Sequence, residues 1–164
     1  YYRIRLEGVN TNNNVGIITA IQNNTGTATR LNIGFDNNFP YNSALYVAVG
    51  NQDVAGELYY GTYNLPHLRL SNFYNKWTTF IVDINYVSRL LRIWINGKLV
   101  FSITTGLTSG ALPNTISNGT YVLNETNYPW TGYCSYARLM KNGTITNDDA
   151  MIMHNLMEYA TLTN

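Results

Sequence analysis

A chain of 164 residues is the size of one domain and can bury one substantial core. Apolar residues make up 45% of it and charged residues only 12%, about half the usual share, with a formal net charge of +1. The absence of any Lys/Arg run removes the electrostatic footprint of a nucleic-acid binder, and no stretch of about 18 apolar residues exists to span a bilayer.

The polar surface must come from Asn, Thr, Ser, Gly and 14 tyrosines. Such a surface hydrogen-bonds and stacks without a strong field, as antibody binding loops do. AT-rich coding would account for the Asn and Tyr content equally well, but it also favours Lys, and only 3 lysines occur. The chain starts at Tyr1 without Met or a signal-like segment, so it is expected to be a piece of something longer.

In chain order, YYRIRLEGV predicts a strand in which Ile4 and Leu6 alternate against Arg3 and Arg5. The runs VGIITAI, ATRLNIGF and ALYVAVG predict further strands, separated by Asn-, Gly- and Pro-rich turns. ELYYGTY, HLRLS, WTTFIVDINY, LLRIWI, KLVFSI, GTYVL and GYCSYARLM continue the series. Short β-rich runs at this spacing mean an all-β sandwich or barrel, and no linker or repeat divides them, so residues 1–164 are expected to form a single domain.

The segment TNDDAMIMHNLMEYA, 146–160, breaks the pattern and predicts a short helix. Thr146 is its candidate N-cap, with Asp149 at the third position of a capping box and two acids in the first turn. Ile152, Leu156 and Tyr159 share one face, beside Met153, Met157 and Ala160, and that face is expected to pack on the sandwich.

Asn96-Gly97 between two apolar runs is the strongest local hairpin signal. A two-residue loop places Ile95 opposite Lys98, Trp94 opposite Leu99, Ile93 opposite Val100 and Arg92 opposite Phe101. Trp94, Leu99 and Phe101 then fall on one face, and Leu91, Ile93, Ile95 and Val100 on the other. Both faces are apolar, so the hairpin is expected inside a layered structure and away from a wet edge.

The stretch NKWTTFIVDINYVSRLLRIWINGKLV, 75–100, resembles the concanavalin A-like lectin/glucanase superfamily, and most of all its laminin G-like and pentraxin-like branch. That branch carries a Trp before one strand and a second strand ending in Asn-Gly-Lys. The end of the chain, TGYCSYARLMKNGTITNDDAMIMHNL, is similar to the closing strand and helical turn of the same family, with Asp148-Asp149 where Glu is usual. The stretch around Trp77 and Asn96 is also similar to the lectin-like domain of clostridial neurotoxins. The resemblance covers roughly residues 40–160 and implies a concanavalin A-like jelly-roll sandwich of two antiparallel sheets, about 12 to 14 strands, with one short C-terminal helix.

Hydrolytic members of that superfamily pair carboxylates on one strand, as glycoside hydrolysis requires. Here Glu57 is followed by Leu58, Tyr59 and Tyr60, and Asp83 stands alone in its strand. There is no nucleophile elbow, P-loop, dinucleotide-binding glycine pattern or metalloprotease helix, so no enzymatic activity is expected. His67 reads as a surface or satisfied histidine, and the lone Cys134 as a small hydrophobe on a buried strand. Four N-x-[ST] sequons, at Asn23, Asn118, Asn124 and Asn142, match what chance gives in so Asn- and Thr-rich a chain.

Two loops offer oxygen ligands for calcium, one around Asp36, Asn37 and Asn38 and one around Asn51, Gln52 and Asp53, with Asp36 and Asp53 as the charged donors. Asx-turns account for the same residues without an ion. Sugar binding in such folds needs an aromatic face for the C–H side of a ring and amides or carboxylates for the hydroxyls. FDNNFPYN, with Asn38 and Tyr41, and NETNYPWTG, with Glu125, Asn127, Tyr128 and Trp130, supply both. The functional expectation is a non-catalytic lectin-like module binding glycan or another cell-surface ligand, in an extracellular or virion-surface protein. The alternative is a structural decoration, fibre or tail domain of a phage or virus. Its partners would be other virion or adhesin subunits, and it would form homo-oligomers.

Overall fold

The computed structural model describes residues 1–8, 15–22, 29–36, 44–49, 61–85, 88, 90–104, 120–122, 131–138, 140 and 143–162. They form ten strands and one α-helix. The strands are β1 (Tyr2–Gly8), β2 (Val15–Gln22), β3 (Thr29–Asp36), β4 (Ala44–Val49), β5 (Gly61–Arg69), β6 (Trp77–Asn85), β7 (Leu90–Ile95), β8 (Lys98–Thr104), β9 (Thr120–Val122) and β10 (Thr131–Ala137). The helix α1 spans Asn147–Leu162. The architecture is therefore mostly β, with two five-stranded antiparallel sheets and one C-terminal helix. Among the described residues no helix is long and apolar enough to cross a membrane.

The chain forms two compact units, each holding one sheet. The first unit comprises Tyr1–Arg5, Trp77–Gly106 and Tyr133–Asn164, and the second Leu6–Lys76 and Leu107–Gly132. In the second unit the strand order is β5-β4-β3-β2-β9. Leu31, Ile33 and Phe35 alternate along β3, pair with Val49, Val47 and Leu45, and are fully buried, as period-2 apolar residues on one sheet face must be. The register slips between Ile17 and Thr19, so Ile18 is the extra residue of a bulge and is turned fully inward. A short 3-10 turn, Leu70–Asn72, brings Phe73 onto Phe35, with ring centroids 5.4 Å apart.

The sequence places two strands where the second unit has one. GTY and HLR run together as β5, straight through Pro66. A proline cannot donate to a ladder and is tolerated at edges and bulges. β5 is the outermost described strand of its sheet, and its pairing jumps from Leu45–Leu65 to Ala44–Arg69, which leaves Pro66 outside the ladder.

In the first unit the order is β10-β1-β6-β7-β8. The registers Tyr2–Phe80 and Phe80–Ile95 put Tyr2, Ile4, Phe80, Ile93 and Ile95 on one face, all buried. The other face carries Arg3, Arg5, Trp77, Thr79, Ile81, Asp83, Arg92 and Trp94. Helix α1 packs there: Ile81, Trp94, Ile145 and Ala150 form a buried cluster edged by Tyr1 and Met153.

The Asn96-Gly97 turn has φ of 50° and 76°, the two positive angles of a type I′ hairpin. Ile95 pairs with Lys98 and Trp94 with Leu99, as expected, but the ladder then slips and Phe101 faces Ile93. Phe101 therefore lies on the Ile93 face, not with Trp94, and Val100 is the extra residue. The hairpin is interior only on its first strand. Leu91, Ile93, Trp94 and Ile95 are buried, whereas β8 is the outermost described strand of its sheet and Leu99 is 43% exposed.

The capping box forms as expected. Thr146 Oγ1 accepts from Asp149 N (3.1 Å), and Asp149 Oδ2 accepts from Thr146 N (2.9 Å) and from the Thr146 hydroxyl (2.7 Å). The helix is rotated from its expected setting. Ala150 and Met157 face inward, while Ile152, Leu156 and Tyr159 are 57%, 65% and 71% exposed. Two apolar stripes satisfy the same helical period, and the N-terminal anchor selects between them. Asn147 Oδ1 accepts from Trp94 Nε1 (2.8 Å), and small Ala150 lets the helix backbone come close to the sheet.

A Cβ on Gly97 would stand 2.9 Å from Met151 Sδ and 3.2 Å from Met151 Cα. Gly97→Ala must bear a left-handed conformation costing about 1–2 kcal/mol, displace the Met151 thioether and press on the Met151 Cα. Its thermal midpoint should fall by about 4 °C or more in a melting experiment. An unchanged midpoint would mean that the turn does not set the helix seat.

Candidate functional site

Asn38, Tyr41, Glu125, Asn127, Tyr128 and Trp130 lie outside the described residues, as do Asp53 and all four sequons. Asp36 closes β3 with its backbone opposite Val15. Among the described residues no three His, Cys, Asp or Glu side chains gather as a metal site.

The chemistry that does come together lies on the helix-bearing face of the first sheet and along its outermost described strand, β10. Tyr1 and two alternate residues of β1, Arg3 and Arg5, organise it. Tyr1 and Arg138 exchange backbone hydrogen bonds of 2.7 and 2.8 Å, joining β1 to the end of β10. The Tyr1 ring stacks on Tyr136 at 5.6 Å. Interaction with the Tyr1 hydroxyl lowers the Tyr136 hydroxyl from its ordinary value, and interaction with Tyr136 and Tyr1 raises the Arg138 guanidinium. Burial is the first cause of the opposite shift at the Tyr1 hydroxyl, followed by its interaction with Tyr136.

Two residues along, Arg3 is buried beneath α1. Its Nη1 donates to Thr79 Oγ1 (3.4 Å), its Nη2 lies 3.9 Å from Glu158 Oε1, and its Nε has no hydrogen-bond partner. Burial lowers the guanidinium from its usual value, and Glu158 opposes that. Two residues further, the Arg5 guanidinium lies over Trp77 (5.4 Å) and over Tyr133 (4.9 Å), both within cation–π range. Tyr133 is 55% and Tyr136 41% exposed, so the outer side of this strip is open to solvent.

Cys134 corrects its expectation. It is exposed on β10, where its thiol donates to Tyr136 O (3.4 Å), because this strand borders the sheet and has a neighbour on one side only among the described strands. His67 is exposed on β5, in line with a surface histidine. Asp83, solitary in sequence, forms a largely buried cross-strand ion pair with Arg92 (2.6 Å), whose guanidinium lies 5.0 Å over Trp94. That pair is a packing element. Sequence reasoning passed over the strip, although the alternation of Tyr1, Arg3 and Arg5 was its signal.

His154 of α1 reaches the same face. Its Nδ1 lies 3.1 Å from Thr79 Oγ1 and its Nε2 3.6 Å from Glu158 Oε2.

No family model matches this chain, and no curated protein matches it.

Burial lowers the His154 imidazole below its ordinary value of 6.5, Arg3 adds to that, and Glu158 partly opposes it. The unfolded chain therefore binds the proton first as pH falls, and stability present above about pH 6.5 is lost below it. Asp149, held down by its hydrogen bonds to Thr146, adds a second loss only below its ordinary value of 3.8. The melting temperature should fall from pH 7 towards pH 5, and His154→Gln should flatten that part of the slope. An equal fall in the variant would assign it elsewhere.

Proposed function

We propose that this chain is a non-catalytic, lectin-like recognition module of the concanavalin A-like jelly-roll type, close to its laminin G-like and pentraxin-like branch. It belongs to an extracellular or virion-surface protein and binds glycan. The observation that carries this reading is the solvent-facing strip on β10, in which Tyr133 and Tyr136 present aromatic faces beside the guanidinium groups of Arg5 and Arg138. A sugar ring lays its C–H side on an aromatic face and gives its hydroxyls to fixed polar groups at the rim. The two antiparallel sheets and the C-terminal helix support the jelly-roll reading. The low-charge, Tyr- and Asn-rich composition suits adaptable polar recognition.

A glycan array probed with and without calcium should give hits that Tyr133→Ala reduces at least about tenfold, as loss of a stacking ring does. An array without hits in either condition sinks the reading.

A second reading, a fibre, tail or decoration domain with an assembly role, draws on the exposed apolar stripe of Ile152, Leu156 and Tyr159. Scattered exposed apolar residues are ordinary, but a continuous helical stripe suits packing against the same stripe of a second copy. Light scattering should then report a dimer or larger ring that Leu156→Ser returns to monomer. A monomer at high concentration removes this reading.

A further inference from the structure

We infer that β10 is a docking edge for a second copy of this chain, the two β10 strands pairing antiparallel across a two-fold axis so that two five-stranded sheets join into one. This uses a different surface from the helix stripe of the second reading, and it does not depend on glycan binding.

Sheet edges attract further strands, and proteins blunt them with short strands, lysines, prolines or bulges. The two sheets have four outermost described strands, and three of them are blunted. β9 is only three residues long. β5 carries Pro66 at a slip in its ladder, followed by His67 and Arg69. β8 opens with Lys98 and slips at Val100. β10, with the sequence TGYCSYA, is seven residues long and holds neither a proline nor a charged residue.

This edge is also open. Every residue from Tyr133 to Arg138 is exposed, and successive residues of a strand point to opposite faces, so both faces are clear there. Tyr1 and Arg138 exchange both of their backbone bonds, which makes them a hydrogen-bonded pair. The alternation of an antiparallel ladder then turns the N–H and C=O of Ala137 away from β1, out to the flank where no described strand stands. The two exposed rings do not obstruct that flank. Tyr136 stacks on Tyr1 and Tyr133 lies under Arg5, so both lean back over β1.

A second copy is the occupant that these features select. An identical edge turned by a two-fold axis meets each outward donor with an acceptor. A charged peptide would find no charged side chain on β10 to choose it by, and a net charge of +1 puts little repulsion between copies. The opposite edge of the sheet, β8, is blunted, so pairing uses up both β10 edges and closes at two copies.

The test is light scattering of the folded chain over a wide range of concentration, with amide hydrogen exchange read at Ala137. Ala137→Pro removes an outward donor that β1 does not use. Ser135→Lys puts on β10 the kind of charge that blunts β8, and circular dichroism checks the fold of both variants. The expected result is a dimer in which exchange at Ala137 slows as concentration rises. Its dissociation constant should rise at least about tenfold in either folded variant and stay unchanged in Leu156→Ser. A monomer at every concentration, a species larger than a dimer, or exchange at Ala137 that ignores concentration would overturn the inference, and the exchange readout needs no variant. A dimer that Leu156→Ser dissolves and both β10 variants leave intact would also overturn it, in favour of the helix stripe.

Discussion

The first unit depends on how closely α1 can approach its sheet, and that approach is set at the Asn96-Gly97 turn. Both turn residues adopt left-handed conformations, and the glycine leaves the space that Met151 occupies. The Asn96 side chain accepts from Thr79 N (2.9 Å) and its own N–H donates to Thr79 O (3.0 Å), which ties the turn to β6. Trp94, two residues before the turn, is fully buried and spends its single N–H donor on Asn147 at the first turn of the helix. A buried indole N–H without an acceptor would cost about 1–3 kcal/mol, so turn, tryptophan and helix start are mutually constrained.

From that seat the arrangement of the strip follows. With Ala150 and Met157 inward, His154 and Glu158 fall over Thr79 and Arg3. Arg3 can be buried there because a hydroxyl and a carboxylate reach it from two different elements. The same helix setting leaves Ile152, Leu156 and Tyr159 facing outward. One rotation of one helix thus decides which charges are buried and which apolar groups meet solvent.

Much of this was legible from local chemistry. The hairpin, the capping box and most strands need only turn chemistry, an N-cap residue and apolar periodicity, all of which act within a few residues. The places where local reading went astray have specific causes. The bulge at Val100 depends on how β8 settles against β7, not on the turn. The run through Pro66 depends on β5 being the outermost described strand of its sheet. Cys134 was expected inside as a small hydrophobe on a buried strand, but β10 is the outermost described strand on its side of the sheet, and such a position cannot be read from a strand's own residues. The strip itself joins residues 1–5, 77–79, 133–138 and 154–158, which no local window contains.

What the sequence by itself determined is the β-rich class, the position of nearly every described strand, the type I′ turn at Asn96-Gly97 and the start of the helix at Thr146. These rest on conformational preferences and hydrogen bonds between near neighbours. Only the tertiary structure decided which stripe of α1 is inward, which strands are outermost, and that Arg3, Arg5 and Arg138 line up with Tyr1, Tyr133 and Tyr136. Those outcomes depend on strand order and on the seating of one helix, where contacts between distant segments choose among locally equivalent alternatives.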